Sequence, residues 1–117
     1  MNEILPSLFL GNVEAARDVE MLKRRNVKAV LTVMRYKGMP DCYHVHLPKE
    51  FKHLHVDVYD SADAESSLLP HLAKCVEFIS EGRRAGGVLV HCFAGVSRSA
   101  TAVVAYLLSQ VQHSVRW

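Results

Sequence analysis

The chain has 117 residues, 50% of them hydrophobic and 22% charged, with a formal net charge of +2 when its seven histidines are neutral. That length suits one domain spanning residues 1–117 rather than two, and that composition builds an apolar core rather than a disordered chain. So mild a charge calls for no nucleic-acid partner or membrane surface, and no apolar run approaches the roughly 20 residues of a membrane span.

The opening Met1-Asn2-Glu3-Ile4 lacks the basic and long apolar regions of a secretory signal. Ser7 to Leu10 is a short apolar stretch ended by the turn signal Gly11-Asn12. Between Val13 and Arg25 the apolar positions Val13, Ala16, Val19, Met21 and Leu22 recur at helical spacing, which predicts one amphipathic helix closed by Asn26. Ala29 to Met34 is β-rich and apolar at successive positions, as in a strand buried on both faces. Gly38 to Glu50 reads mostly as loop, with Tyr43 to Leu47 a candidate short strand. His53 to Val58 alternates, with Leu54, Val56 and Val58 on one face and His55 and Asp57 on the other, so it reads as a strand.

Asp60 to Ser67 is small and polar, hence a loop, and Ser66 or Ser67 is placed to cap the next helix. Leu68, Leu72, Cys75, Val76 and Ile79 mark the buried face of that helix, which Gly86-Gly87 ends. Val88-Leu89-Val90 is a short buried strand, Cys92 to Arg98 a loop, and Ser99 to about Val111 an apolar helix. Strands alternating with helices predict an α/β fold, a central mostly parallel sheet flanked by helices. Ligands of such sheets sit beyond the carboxyl ends of the strands, where His91-Cys92 and Asp60 both fall.

The segment His91-Cys92-Phe93-Ala94-Gly95-Val96-Ser97-Arg98-Ser99 carries the chemistry. A loop curling from a buried strand into a helix turns successive backbone N–H groups inward and makes an anion nest. The helix N-terminus adds positive potential, and Gly95 takes backbone angles closed to other residues. Arg98 offers a planar fork for two phosphate oxygens. The same field favours the thiolate of Cys92, which then lies beneath a bound phosphorus atom, poised for in-line attack.

This stretch resembles the His-Cys-x5-Arg-Ser signature of cysteine-dependent protein phosphatases, specifically the dual-specificity subfamily. Leu8-Phe9-Leu10-Gly11-Asn12 with Ala15-Ala16 and Leu22, Val27 to Val33, Phe78-Ile79 and Ala105-Tyr106-Leu107-Leu108 are similar to that subfamily as well. The resemblance implies a phosphotyrosine-phosphatase-like fold and hydrolysis of phosphotyrosine and phosphoserine or phosphothreonine through a cysteinyl-phosphate. Cys92 is then the nucleophile and Arg98 the transition-state clamp. Ser99 assists release of the thiolate, and His91 orients the loop and tunes the cysteine. Residues 93–98 (Phe93, Ala94, Gly95, Val96, Ser97 and Arg98) hold the phosphate. Family enzymes take the leaving-group proton from an Asp in the loop after the preceding strand. Asp60 follows that strand directly and is preferred, whereas counting back from Phe78 points nearer Asp63, and Asp57 lies inside the strand. Family domains continue through two further helices after this point, so the catalytic domain is expected to be C-terminally truncated at Trp117.

The uncharged loop positions Phe93, Ala94, Val96 and Ser97 favour a phosphoprotein over a multiply charged phosphoinositide. Alternatives are a phospho-motif binding module that lacks turnover, or the same chemistry on a phospholipid, glycan or RNA 5′-phosphate. No cofactor is expected. His44-x-His46 and His53-x-His55 share faces suited to chelation, but no carboxylate or Cys stands at a familiar spacing from them, so no metal is expected. Three cysteines without paired spacing imply no disulfide framework and a reducing compartment, cytoplasmic or nuclear. Cys75 reads as core, and Cys42 is a candidate redox partner for Cys92. Lys23-Arg24-Arg25 with Lys28 reads as a solvated helix end, favoured by the helix dipole, or as a docking point for an acidic partner.

Overall fold

The computed structural model describes residues 1–58, 68–93 and 97–114, the side chains of Ser97, His113 and Ser114 excepted. Its strands are β1 (Asn2–Leu5), β2 (Leu8–Gly11), β3 (Ala29–Val33), β4 (Lys52–Val56) and β5 (Val88–His91). Its helices are α1 (Val13–Arg17), α2 (Val19–Arg24), α3 (Leu72–Ala85) and α4 (Ser97–Ser114). The sheet order is β1-β2-β5-β3-β4. Of these strands β1, hairpinned onto β2, runs antiparallel; β2, β5, β3 and β4 are mutually parallel. The expected mostly parallel sheet flanked by helices is therefore present. None of the described helices is long and apolar enough to cross a membrane.

The two central strands, β3 and β5, are buried at every position, which is why both read as unbroken apolar runs. Alternation along them feeds two cores. Leu31, Val33, Val88 and Val90 pack with Ile79 and Cys75 of α3 and with Ala102, Val103 and Tyr106 of α4. Val30 and Leu89 point the other way, onto Val13, Ala16 and Leu22 of the first two helices and Phe51. Cys75 is fully buried in the first core, and burial pushes its thiol up to about 11, against a small opposing effect of Lys74. It is a core residue, as expected.

The one helix expected over Val13–Arg25 is two. Asp18 ends α1, and its Oδ1 accepts the Met21 N–H at 3.1 Å, capping α2. An Asp side chain that takes a backbone N–H competes with the helix ladder. The periodicity hid the break because Val13, Ala16 and Leu22 all reach the same core. Asn12 caps α1 in the same way, accepting from Ala15 N at 3.0 Å. Asn26 terminates α2 at φ 60°, the left-handed conformation that Asn tolerates. Gly86 ends α3 at φ 150°, where a side chain would be strained.

Tyr43–Leu47 is not a strand. A 3₁₀ turn occupies Asp41–Tyr43, and the Val45 N–H that a ladder would use donates instead to Tyr36 Oη at 3.0 Å. Helix α4 begins at Ser97, two residues before the expected Ser99. The capping serines Ser66 and Ser67 lie outside the described residues.

Helix α3 meets the sheet at Gly82. A Cβ there would stand 2.8 Å from Val88 Cβ and 3.1 Å from Ala29 Cβ, inside van der Waals contact with two central strands. Gly82→Val is expected to cost about 3 kcal/mol by overpacking, read as a lower urea midpoint with an unchanged slope. An unchanged midpoint would mean that α3 sits further from β3 and β5 than described.

Candidate active site

The parallel register sets the site. Gly11, His91 and Thr32 lie abreast at the carboxyl ends of β2, β5 and β3, and Cys92 is the next residue out from the central strand. Cys92 and His91 are fully buried. Arg98 and Ser99 stand in the first turn of α4, and both are buried, Arg98 at 4% exposure. Cys92 Sγ lies 3.4 Å from Ser99 Oγ, within hydrogen-bond reach. The strand end and the helix start thus bring a thiol and a hydroxyl seven residues apart in sequence into contact, and the residue before that hydroxyl is the buried Arg98.

His91 is anchored on both ring nitrogens. Its Nδ1 lies 3.2 Å from the Cys92 carbonyl oxygen and its Nε2 lies 2.7 Å from Thr32 Oγ1. Thr32 Oγ1 in turn lies 2.6 Å from His53 Nε2. Counting donors fixes the protons. A carbonyl only accepts, so the neutral His91 carries its proton on Nδ1, and Nε2 must accept. Thr32 therefore donates its one hydroxyl proton to His91 and accepts from His53 Nε2–H. In the same way His55 Nε2–H donates to the Met34 carbonyl at 2.6 Å. The Cys92 carbonyl is tied back toward the sheet, which fixes the peptide plane by which the chain leaves β5.

Burial pushes His91 down to about 4; its bond to the Cys92 carbonyl opposes that shift, and His53 and His55 add to it. His53, at the sheet edge, is lowered as well, by burial first and then by His55 and His46. A folded value of about 4 against an ordinary 6.5 means the unfolded chain takes the proton first. Stability from this group is complete above pH 6.5 and drains away as pH falls toward 4. At 1.4 kcal/mol per pH unit, about 2 kcal/mol is expected to go between pH 7 and pH 5. Urea unfolding across that range checks it. A flat midpoint would mean that His91 stays protonatable in the fold.

Phe93 is half-buried and takes the edge of Tyr43 at 5.1 Å between centroids, so the 3₁₀ turn at Asp41–Tyr43 packs against the residue that follows Cys92. Of the other expected site residues, Ala94, Gly95 and Val96 lie outside the described residues, as do both general-acid candidates, Asp60 and Asp63; the Ser97 side chain is likewise undescribed. Asp57 is exposed just beyond β4. Cys42 is exposed, whereas Cys92 is buried. Thr32 and His53 were not among the expected site residues. The available signal was a lone hydroxyl, Thr32, inside the apolar run from Ala29 to Met34.

Residues 8–116 match the family model described as "Dual specificity phosphatase, catalytic domain". Dual specificity protein phosphatase 22 of Xenopus tropicalis is 42% identical over 110 residues, covering 93% of this chain and 48% of that protein. MAP kinase phosphatase with leucine-rich repeats protein 1 of Dictyostelium discoideum is 40% identical over 114 residues, covering 97% of this chain and 12% of that protein. The chain thus spans half or less of the length of these two relatives. The crystal structure of human DUSP28 superposes with a TM-score of 0.79 at 33% identity, covering 96% of this chain and 73% of that one. A signature loop set between a buried strand and a helix, within a family match that runs over nearly the whole sequence, places this chain in the dual specificity phosphatase family as a catalytic-domain member.

Proposed function

We propose that the domain hydrolyses phosphate monoesters on proteins, at tyrosine and at serine or threonine, through a cysteinyl-phosphate on Cys92. The observation that carries this is the placement of Cys92 at the end of the central strand, 3.4 Å from Ser99 Oγ, with buried Arg98 in the same helical turn. Residues 93–98 cradle the phosphate, with the Arg98 guanidinium paired to two of its oxygens. The Cys92 thiolate attacks phosphorus, an S–P bond forms, and the P–O ester bond breaks. The leaving oxygen takes a proton from an aspartate, Asp60 by preference and Asp63 otherwise. Water then attacks phosphorus, giving a proton back to the aspartate that lost one, the S–P bond breaks, and inorganic phosphate leaves. Ser99 Oγ–H donates to the sulfur as its charge returns. A neutral His91 serves by position rather than by charge, since it stays unprotonated at neutral pH.

A phosphoprotein substrate is supported by the uncharged Phe93, Ala94, Val96 and Ser97, which leave no extra cations for a multiply charged headgroup. The MAP kinase phosphatase among the relatives supports a place in signalling. A thiolate nucleophile fits a reducing cytoplasm or nucleus.

Phosphate release from phosphotyrosyl, phosphothreonyl and phosphoseryl peptides, a soluble phosphoinositide headgroup and a 5′-phosphorylated RNA tests the reading. Turnover of the peptides well above the others is expected; preference for the headgroup or the RNA would replace the substrate class. Ser99→Ala is expected to slow the second step. Losing one hydrogen bond to a charged sulfur, worth about 1.5–3 kcal/mol, lowers kcat by roughly 10- to 100-fold. A rapid first burst of leaving group would then precede a slow steady state. Equal slowing of burst and steady state would place Ser99 elsewhere in the cycle.

A further inference from the structure

We propose that Asp41, His44 and His46 form a binding site for a divalent transition metal of the zinc type, beside the catalytic loop. Sequence spacing gives His44-x-His46 no third donor at a familiar distance, but the fold supplies one. The 3₁₀ turn at Asp41–Tyr43 is fixed by Tyr43 N–H donating to the Pro40 carbonyl at 3.0 Å and His44 N–H donating to the Asp41 carbonyl at 2.9 Å. In that geometry side chains three apart eclipse, so Asp41 and His44 stack over one another. The chain then extends, and alternation returns His46 to the side of His44 while Val45 is buried opposite.

The donor atoms converge accordingly. Asp41 Oδ1 lies 3.5 Å from His44 Nδ1 and 3.5 Å from His46 Nε2, and the donor atoms all lie within 4.8 Å of one another. A tetrahedral ion with bonds near 2.0–2.1 Å needs neighbouring donors about 3.3 Å apart. Two edges of the triangle are therefore already nearly right. The third closes by turning the His46 ring, whose side chain is 71% exposed. His44 is held in advance: its ring stacks on Tyr36 at 4.2 Å and 8°. Two imidazoles and one carboxylate suit zinc, cobalt or nickel and disfavour magnesium and calcium, which take oxygen shells. Three protein donors leave a fourth position for water. An ion here pins the turn whose Tyr43 leans on Phe93, the neighbour of Cys92.

Thiols compete for such ions, so the test removes two of them. In a Cys42→Ser, Cys92→Ser double variant, zinc titrated by calorimetry is expected to bind at one saturable site. Cobalt(II) is expected to bind there without a thiolate charge-transfer band. The remaining thiol, Cys75, is buried and pushed up to about 11, a poor ligand. Adding His46→Gln, or separately Asp41→Asn, is expected to weaken zinc at least about tenfold. Both side chains are largely exposed, at 71% and 86%, so the fold survives either change. No saturable binding in the double variant, or equal affinity after both additions, overturns the site.

Discussion

Cys92→Ser is expected to abolish phosphate release while leaving a phosphate-shaped ligand bound. The substitution exchanges one atom, at a fully buried position with Ser99 Oγ 3.4 Å away, so the packing around residue 92 has little reason to change. On the proposed mechanism, chemistry, by contrast, loses its nucleophile. A hydroxyl ionises far less readily than a thiol and is much the weaker nucleophile. Losing the nucleophile of a concerted site costs roughly four to six orders of magnitude in kcat. The check has two readouts: phosphate release from a phosphotyrosyl peptide, and the shift in melting temperature produced by tungstate. Turnover near wild type in the variant would end the cysteinyl-phosphate mechanism. Loss of the tungstate shift together with turnover would instead show that the substitution had collapsed the pocket.

What the chain discloses without a structure follows from which forces are local. The apolar runs at Ala29–Met34 and Val88–Val90 announce doubly buried strands because burial on both faces leaves no room for polar alternation. A Cys leaving such a strand, with an Arg where a helix begins, points to an anion loop because backbone direction and helix dipole act over a single turn. The hairpin strand β1 escaped notice, since it is an edge strand with an exposed face and no periodicity beyond a few residues. The break at Asp18 escaped because both short helices bury the same stripe. The His53–Thr32–His91 relay joins residues 21 and 59 positions apart, and only strand order makes them neighbours. Asp41 meets His44 and His46 through a 3₁₀ turn, a conformation that leaves no periodic mark in so short a stretch.

Arg98→Lys separates the second half of the site from the first, because it is expected to cost binding as well as turnover. Arg98 is 4% exposed in the first turn of α4, one residue before Ser99, whose Oγ lies 3.4 Å from Cys92 Sγ. Lysine keeps the positive charge but replaces a rigid planar fork with a single ammonium on a flexible stem. If charge alone mattered, the variant would behave like wild type. Paired hydrogen bonds to two equatorial oxygens grow stronger as negative charge spreads over them in the transition state, and the fork alone supplies both. The expected loss is therefore about 10²–10³ in kcat/KM, the scale for removing one preorganised donor from an electrostatic site. Tungstate should shift the melting temperature of Arg98→Lys much less than that of Cys92→Ser. The pattern is diagnostic because the two residues fail differently: without the sulfur the oxyanion is held and nothing happens to it, while without the guanidinium fork the oxyanion is poorly held and the sulfur has nothing aligned to attack. Wild-type kcat/KM and a wild-type tungstate shift in the Arg98→Lys variant would show that the backbone N–H groups and the helix N-terminus hold the phosphate by themselves, and Arg98 would then be a structural cation of the α4 turn.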